Sequence, residues 1–423
     1  MSLPEGWVET TLGEVGKIVT GKTPKKKNPE FFDGEHPFVK PSDLDKDIFV
    51  TDTIETLSDS GLVTVPNLPK GAVMVTCIGN MGKVGIAGQV VATNQQINSI
   101  IPNEEVLDSK YLYYYAKTLK PWMDRESSAT TISIINKSTF SKAPIILPPL
   151  KEQKQIAQKL DQALARVERI KMALDNTPDT IKRFRQSVLA LATSGGLSEG
   201  REYCNIQVNE ENYMLVRGWK LLEILNFSLK TRPAIKSGPF GSLLKKHEHI
   251  DTGIPVLGIE NIDNMYFKYG SKIHISEEKA LDLAVYDIQS DDIIISRSGT
   301  VGEICKVPSN IGVARYSTNI IRVVLDNDLV SSDYFCFLFQ GNNLVLNQVK
   351  DLCKGSTRVF LNKTILSNIK FPIPPLEEQK AIVKKVETLF ALADNLEVKV
   401  NQAQKRVDRL TQSILAKAFR GEL

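Results

Sequence analysis

The sequence predicts a mixed α/β (α+β) chain, in which two α/β domains are joined by two long helices that form an antiparallel coiled coil, with an internal pseudo-twofold repeat. Three observations lead there. A proline-rich decapeptide is written twice. Each copy opens a long run of helical apolar spacing. The blocks ahead of the copies hold short β-branched runs of strand length.

Residues 147–156 read Leu-Pro-Pro-Leu-Lys-Glu-Gln-Lys-Gln-Ile, and residues 373–382 read Ile-Pro-Pro-Leu-Glu-Glu-Gln-Lys-Ala-Ile, an offset of 226. The same offset pairs Thr131 with Thr357, Asn136 with Asn362, Gln186 with Gln412 and Gly195 with Gly421. Upstream the match loosens. Gly6-Trp7 answers Gly218-Trp219, Thr76–Gly82 answers Ser296–Gly302, and Thr93-Asn94 answers Thr318-Asn319, at offsets between 212 and 225. A fixed period of this kind marks a duplicated unit. The expected organisation is a first domain over 1–147, a central helix over 148–197, a second domain over 198–373 and a C-terminal helix over 374–423.

The helices follow from their spacing. A Pro-Pro pair with acid in the next turn is a helix opening, and Glu152 and Glu378 are expected to cap there. Apolar residues then alternate four and three apart. The expected seam is Ile156, Leu160, Val167 and Leu174 in the first copy. In the second it is Val386, Leu389, Leu396, Val400, Val407 and Leu410. Heptads sustained this long specify a helical pair, and a helix over 376–419 would be roughly 65 Å long. Thr177-Pro178 predicts a kink near 176–178, with Thr177 as N-cap of the restart. Val73–Ile78, Ile293–Ser296 and Ile320–Val324 read as strands, and 108–119 and 333–346 as short helices.

The net charge of +4 is spread as −2 over 1–147, +3 over 148–200, +1 over 201–373 and +2 over 374–423. Bulk charge therefore does not mark a polyanion binder; basic residues would have to gather on one face, or a partner supply phosphate contacts. Five cysteines without a CxxC read as reduced thiols, not a disulfide frame or zinc site. Met1–Trp7 does not read as a signal peptide, and no apolar run of about 18 residues suits a membrane; the cytoplasm is the expected compartment.

No catalytic constellation stands out. Gly16–Thr23 fits GxxxxGK[ST], but that site needs a helix beginning at its Gly-Lys, and Pro24 and Pro29 oppose one. Asn28-Pro29-Glu30-Phe31 lacks the second proline of an amino-methyltransferase motif. His247-Glu248-His249 has no third ligand nearby. No catalytic residue and no metal are expected. What remains are basic, amide- and hydroxyl-rich loops beside predicted strands. Lys22, Thr23, Lys25, Lys26 and Lys27 form one cluster, and Lys236, Ser237, Ser242, Lys245 and Lys246 another at the corresponding place in the second copy. Lysine and arginine neutralise phosphates, while Asn, Gln, Ser, Thr and Arg read base edges. Candidate readers are Asn94, Gln95, Gln96, Arg297 and Ser298. Lys40, Ser42, Asn80, Asn261, Thr300 and Arg358 are added as DNA contacts on the same chemistry.

With the two helix openings (148–156 and 374–382) and the endings Arg183–Ala190 and Thr411–Leu423, the chain resembles the specificity subunits of type I restriction–modification systems over essentially its whole length. Gly21-Lys22-Thr23-Pro24 with Asn28-Pro29-Glu30-Phe31-Phe32 is similar to the opening of their target-recognition domains; the second domain departs from it at Ser237–Ser242, which implies a different target. The resemblance implies that each domain reads one half of a split duplex target and that the helices set the gap. It also implies two methyltransferase subunits for adenine-N6 methylation and two restriction subunits as partners. S-adenosylmethionine, ATP and Mg2+ would lie on those partners and not on this chain. Two alternatives stay open: the specificity subunit of a system whose methylation and cleavage share one partner, and a coiled-coil scaffold for protein interaction.

Overall fold

Val73–Thr76 and Ile293–Ser296 are each buried at every residue, as the β-branched runs require. They lie within the two sheets that position everything else. The computed structural model describes residues 3–127, 133–197, 200–239, 243–263, 265–298, 301–352 and 361–423. Two units divide the chain: one takes Met1–Asn176 and Val400–Leu423, the other Thr177–Lys399.

In the first unit a five-stranded sheet runs in the order Gly16–Thr20, Ile97–Pro102, Val73–Thr76, Val84–Ala87, Phe49–Val50. It is antiparallel except at its last pair. A four-stranded sheet pairs Phe32–Val39 parallel to Val91–Thr93. The second unit repeats the plan. Ile235–Ser237, Ile320–Val323, Ile293–Ser296 and Ile304–Lys306 form an antiparallel sheet. Ile254–Leu257 runs parallel to Arg315–Tyr316. The short pair Val8–Thr11 with Pro144–Leu147 recurs as Lys220–Leu222 with Phe371–Ile373. Only the second unit carries, among the described residues, the hairpin Tyr203–Val208 with Glu211–Val216.

The helices are Leu150–Asp175, Thr177–Thr193 and Leu376–Ala418. The break at Asn176 is where Pro178 predicted it, but Thr177 is itself helical and Asn176 stays in the right-handed helical region (φ −83°, ψ −13°). Each unit contains an antiparallel helix pair. In the first, Lys159 Nζ donates to the Leu423 main-chain oxygen at 2.8 Å and Gln404 Nε2 to Asp175 Oδ1 at 3.1 Å. In the second, Lys385 Nζ donates to the Leu197 carbonyl at 3.0 Å and Arg185 reaches Glu397 at 3.0 Å and Asp394. Lys159 and Lys385, and Leu197 and Leu423, are each 226 apart. Gly195 and Gly421 both take positive φ (86° and 77°) at the helix ends, a conformation that favours glycine.

The seam is only partly covered. Ile156, Leu160, Val167, Val386 and Val407 are buried, Leu174, Leu389 and Val400 are half-buried, and Leu396 and Leu410 are exposed. A straight helix drifts about 20° per heptad against a strict 3.5-residue repeat, so a seam fixed on one heptad rotates out of contact. Phe390, beside the expected seam residue Leu389, and Leu415, five residues past Leu410, are buried. Leu415, Ala418 and Phe419 join Ile156 and Leu160 in the core of the first unit, where Phe419 meets the edges of Tyr111 and Tyr115.

The helix openings also act differently from expectation. Glu152 and Glu378 do not cap. Each accepts from a tryptophan indole instead: Trp7 in the first unit, Trp219 in the second. A side chain tied to a residue far away in sequence cannot also fold back onto its own helix terminus.

Candidate nucleic-acid interface

In the first unit three loops meet at one end of the five-stranded sheet. Gly21 N–H donates to the Ile97 carbonyl at 3.1 Å, and Lys22 N–H to that of Thr93 at 2.8 Å. Cys77 N–H donates to the Gln96 carbonyl at 2.7 Å. Thr23 Oγ1 donates to Gln95 Oε1 at 2.7 Å. Residues 21–23, 77–82 and 94–96 are therefore held side by side by main-chain bonds and form one ridge at the end of the sheet. The loop at Pro41 and Ser42 is attached through Lys83 Nζ, 3.1 Å from the Pro41 carbonyl.

The second unit repeats the Gly21 and Cys77 bonds, while Pro239, in the place of Lys22, has no N–H to donate. Gly238 N–H donates to the Ile320 carbonyl at 2.9 Å, Arg297 N–H to that of Asn319 at 2.8 Å, and Ser317 N–H to that of Leu257 at 2.8 Å. The last matches Asn94 N–H to the Val39 carbonyl at 3.1 Å. A Cβ on Gly21 would run into the carbonyls of Thr93 and Asn94, and one on Gly238 into that of Ser317. Glycine permits the same close approach in both. These bonds align Asn94 with Ser317 and Gln96 with Asn319, two residues away from the Thr93-Asn94 and Thr318-Asn319 pairing expected from sequence. The counterpart of Cys77 is Arg297.

Other chemistry is not assembled. Gly16–Thr20 is a strand, and no helix follows Gly21-Lys22, so the phosphate-loop geometry is lacking. Glu248 of His247-Glu248-His249 is ion-paired with Lys279 at 2.7 Å, and the described residues contain no group of acidic, His and Cys side chains that could hold a metal. Burial pushes the thiols of Cys77 and Cys305 up to about 12, so neither offers a ready thiolate. No described helix is long and apolar enough to cross a membrane.

The model of the type I restriction modification DNA specificity domain matches residues 4–176 and 238–405. The chain belongs to that family. It is 32% identical to the EcoBI specificity subunit of Escherichia coli over 78% of this chain and 69% of that one. It is 29% identical to the StySPI specificity subunit of Salmonella potsdam over 100% of this chain and 90% of the other. Among solved structures, one similar chain comes from work on complex assembly and conformational transition of the type I R-M system (TM-score 0.71, 19% identity, 100% of both chains). Another is the HsdS subunit from Thermoanaerobacter tengcongensis (TM-score 0.64, 19% identity, 100% of this chain and 99% of that one). A specificity subunit selects the DNA sequence for its restriction–modification system, works with the other subunits of that system, and is non-catalytic.

Within this specificity subunit the predicted contacts separate into groups. Lys22, Lys25, Lys26, Lys27, Ser42, Asn80 and Gln95 are exposed on the loops of the first unit, and Thr23 and Gln96 are half-buried. Lys40 is ion-paired with Glu55, which offsets its charge. Asn94 is buried, so it supports the ridge and does not form its surface. In the second unit Lys245 and Lys246 are exposed, and Ser237, Arg297 and Ser298 are half-buried. Lys236 lies 4.8 Å from the centroid of the Tyr286 ring; burial and then Arg322 hold its ammonium below the ordinary lysine range. Asn261 is not a contact. It is fully buried, accepts from Gly258 N–H at 2.8 Å, and donates to the carbonyls of Lys268 and Gly270 at 2.8 and 2.6 Å. An amide so bonded has little left for a base. Ser242, Thr300 and Arg358 lie outside the described residues. Sequence reasoning missed Asn319, which is exposed and accepts from Ser298 Oγ at 2.9 Å. In the sequence it stands out only as a match for Asn94.

Proposed function

We propose that the two ridges read the two halves of a split duplex target, one unit to each half, and that the paired helices set the unspecified gap between them. The observation that carries this reading is the repetition of one set of main-chain bonds, which places amides and hydroxyls of different identity on the same scaffold. Repeated support with changed side chains is what two different half-sites need. The surrounding lysines supply phosphate contacts. On this reading two methyltransferase subunits dock on the helices and bring S-adenosylmethionine for adenine-N6 methylation. Two restriction subunits bring ATP and Mg2+ for translocation and cleavage. The family membership and the names of the relatives as specificity subunits of type I restriction enzymes support that assembly.

Mapping methylated sites in cells that express the subunit with its methyltransferase partner tests the division of labour. Gln95→Ala is expected to change the first half-site alone, and Asn319→Ala the second alone. A change in both halves from either variant would sink the reading.

A further inference from the structure

The first ridge holds three amide groups in series. The Gln96 backbone N–H donates to Asn94 Oδ1 at 3.1 Å. A backbone N–H can only donate, so this bond fixes which way round the Asn94 amide sits. Its Nδ2 then donates to Gln96 Oε1 at 2.9 Å. That group also can only donate, so the Gln96 amide is fixed in turn, with Oε1 toward Asn94 and Nε2 away from it. Asn94 is only 7% exposed, whereas Gln96 is half-buried and its Nε2 takes no partner among the described residues. Cys77 N–H holds the Gln96 carbonyl at 2.7 Å.

We infer that Gln96 is a specificity-determining residue that reads adenine at one position of the first half-site, and that Asn94 is the positioning residue that orients it. This rests on the ridge reading above. In the major groove adenine presents N7, which accepts from Nε2, beside an N6 amino group that donates to the second lone pair of Oε1. Guanine would set its O6 against Oε1, acceptor against acceptor. Thymine offers O4 alone, and cytosine offers Nε2 no acceptor. The described residues of the second unit hold no such relay. Ser317 and Asn319 take the places of Asn94 and Gln96, and the hydroxyl of Ser298 that meets Asn319 can donate or accept, so it does not fix that amide.

The test uses the subunit assembled with its methyltransferase partner, and duplexes carrying each base at every position of both half-sites. Gln96→Ala is expected to lose about 10- to 100-fold of discrimination at one adenine of the first half-site, leaving the second intact. Asn94→Asp at mildly alkaline pH keeps the acceptor for the Gln96 N–H but removes the donor. The Gln96 amide then turns round, and preference at that position moves toward cytosine, whose N4 donates. Asn94→Ser relaxes the position without reversing it. If Gln96→Ala changes no preference while Gln95→Ala does, the inference fails and the ridge reading stands. If neither changes a preference, the ridge reading fails as well. If Gln96→Ala relaxes a position that is not adenine, the base assignment is overturned. If the Asn94 variants match the unsubstituted complex, or bind no duplex while Gln96→Ala still binds, the positioning role is overturned.

Discussion

Trp7 Nε1 donates to Glu152 Oε2 at 3.1 Å, and Trp219 Nε1 donates to Glu378 Oε1 at 3.2 Å. The next residue of each helix completes the attachment. Gln153 Nε2 donates to the carbonyls of Pro148 and Val106, each at 2.8 Å, and Gln153 Oε1 accepts from Asp108 N–H at 2.9 Å. Gln379 does the same with Pro374, Leu329 and Ser331 at 2.9, 3.0 and 2.9 Å. The repeated Pro-Pro-Leu-x-Glu-Gln motif thus ties the start of each long helix to the tryptophan ahead of a strand and to the N-cap of a short helix in its own unit.

Both glutamines are fully buried. Gln153→Leu and Gln379→Leu should each cost about 2–4 kcal/mol, because two carbonyls and one N–H lose partners out of reach of water. The two losses should be similar, since the bonds are the same. Denaturant unfolding measures them, and a cost below about 1 kcal/mol for either would show that water replaces the amide.

The duplication was legible because its most constrained positions are copied: the Pro-Pro-Leu-x-Glu-Gln-Lys-x-Ile helix opening, the Asn136 and Asn362 caps, and the Gly195 and Gly421 endings. The work of Glu152 and Gln153 was not legible. An acid in the first turn looks the same whether it caps the helix or accepts from an indole more than a hundred residues away. Asn261 and Asn94 carry base-reading chemistry in the sequence, and only three dimensions reveal that their hydrogen-bonding groups face inward. The Thr-Asn pair at 93–94 recurs at 318–319, two residues from where the main-chain bonds match the ridges, so identity of residues misleads there. Exposure of Leu396 and Leu410 follows from helical drift accumulated along the Leu376–Ala418 helix, which no local pattern displays.

The second unit holds a partly buried charge network. Arg322, 1% exposed, donates to Asp287 Oδ1 at 3.0 Å, and Arg232 bridges Asp292 at 2.8 Å and Asp287 at 3.3 Å. Burial opposes ionisation of Asp287, yet the Gln289 amide and the Arg232 and Arg322 guanidiniums outweigh it and hold the carboxyl below its usual range. A depressed acid contributes stability that is present above its unfolded value of about 3.9 and is lost as pH falls through the folded value. The Asp287 contribution is therefore lost below about pH 4, against an opposite contribution from Asp292, whose carboxyl burial pushes up, and Asp287→Asn should remove the Asp287 part of the slope. At neutral pH Asp287→Ala should cost about 3 kcal/mol, because a buried guanidinium loses its partner. An unchanged acid limb in Asp287→Asn would assign the slope to other carboxyls.

Residues 1–147 carry −2 and 201–373 carry +1, so neither reading domain presents the field of a strong polyanion binder. The subunit by itself is expected to bind its target duplex weakly. Adding the methyltransferase partner should both tighten binding and steepen its dependence on salt, since each phosphate contact adds about 0.9 to the logarithmic slope. Fluorescence anisotropy over a salt series reads both quantities. Nanomolar sequence-specific binding by the subunit alone would contradict the prediction.

The paired helices give the last expectation its number. One heptad inserted into Leu150–Asp175, and one into the 400–418 segment that pairs with it, adds about 10 Å of helix on each side while preserving the seam register. At about 3.4 Å per base pair this corresponds to about three base pairs of additional gap. Neither ridge is touched, so both half-site sequences should persist while the distance between them grows. A five-residue insertion should behave differently: it rotates one end of the helix by about 140° relative to the other, breaks the Gln404–Asp175 contact and abolishes methylation. Mapping of methylated sites separates the outcomes. An unchanged gap after the heptad insertion would mean that the helices do not measure the spacing.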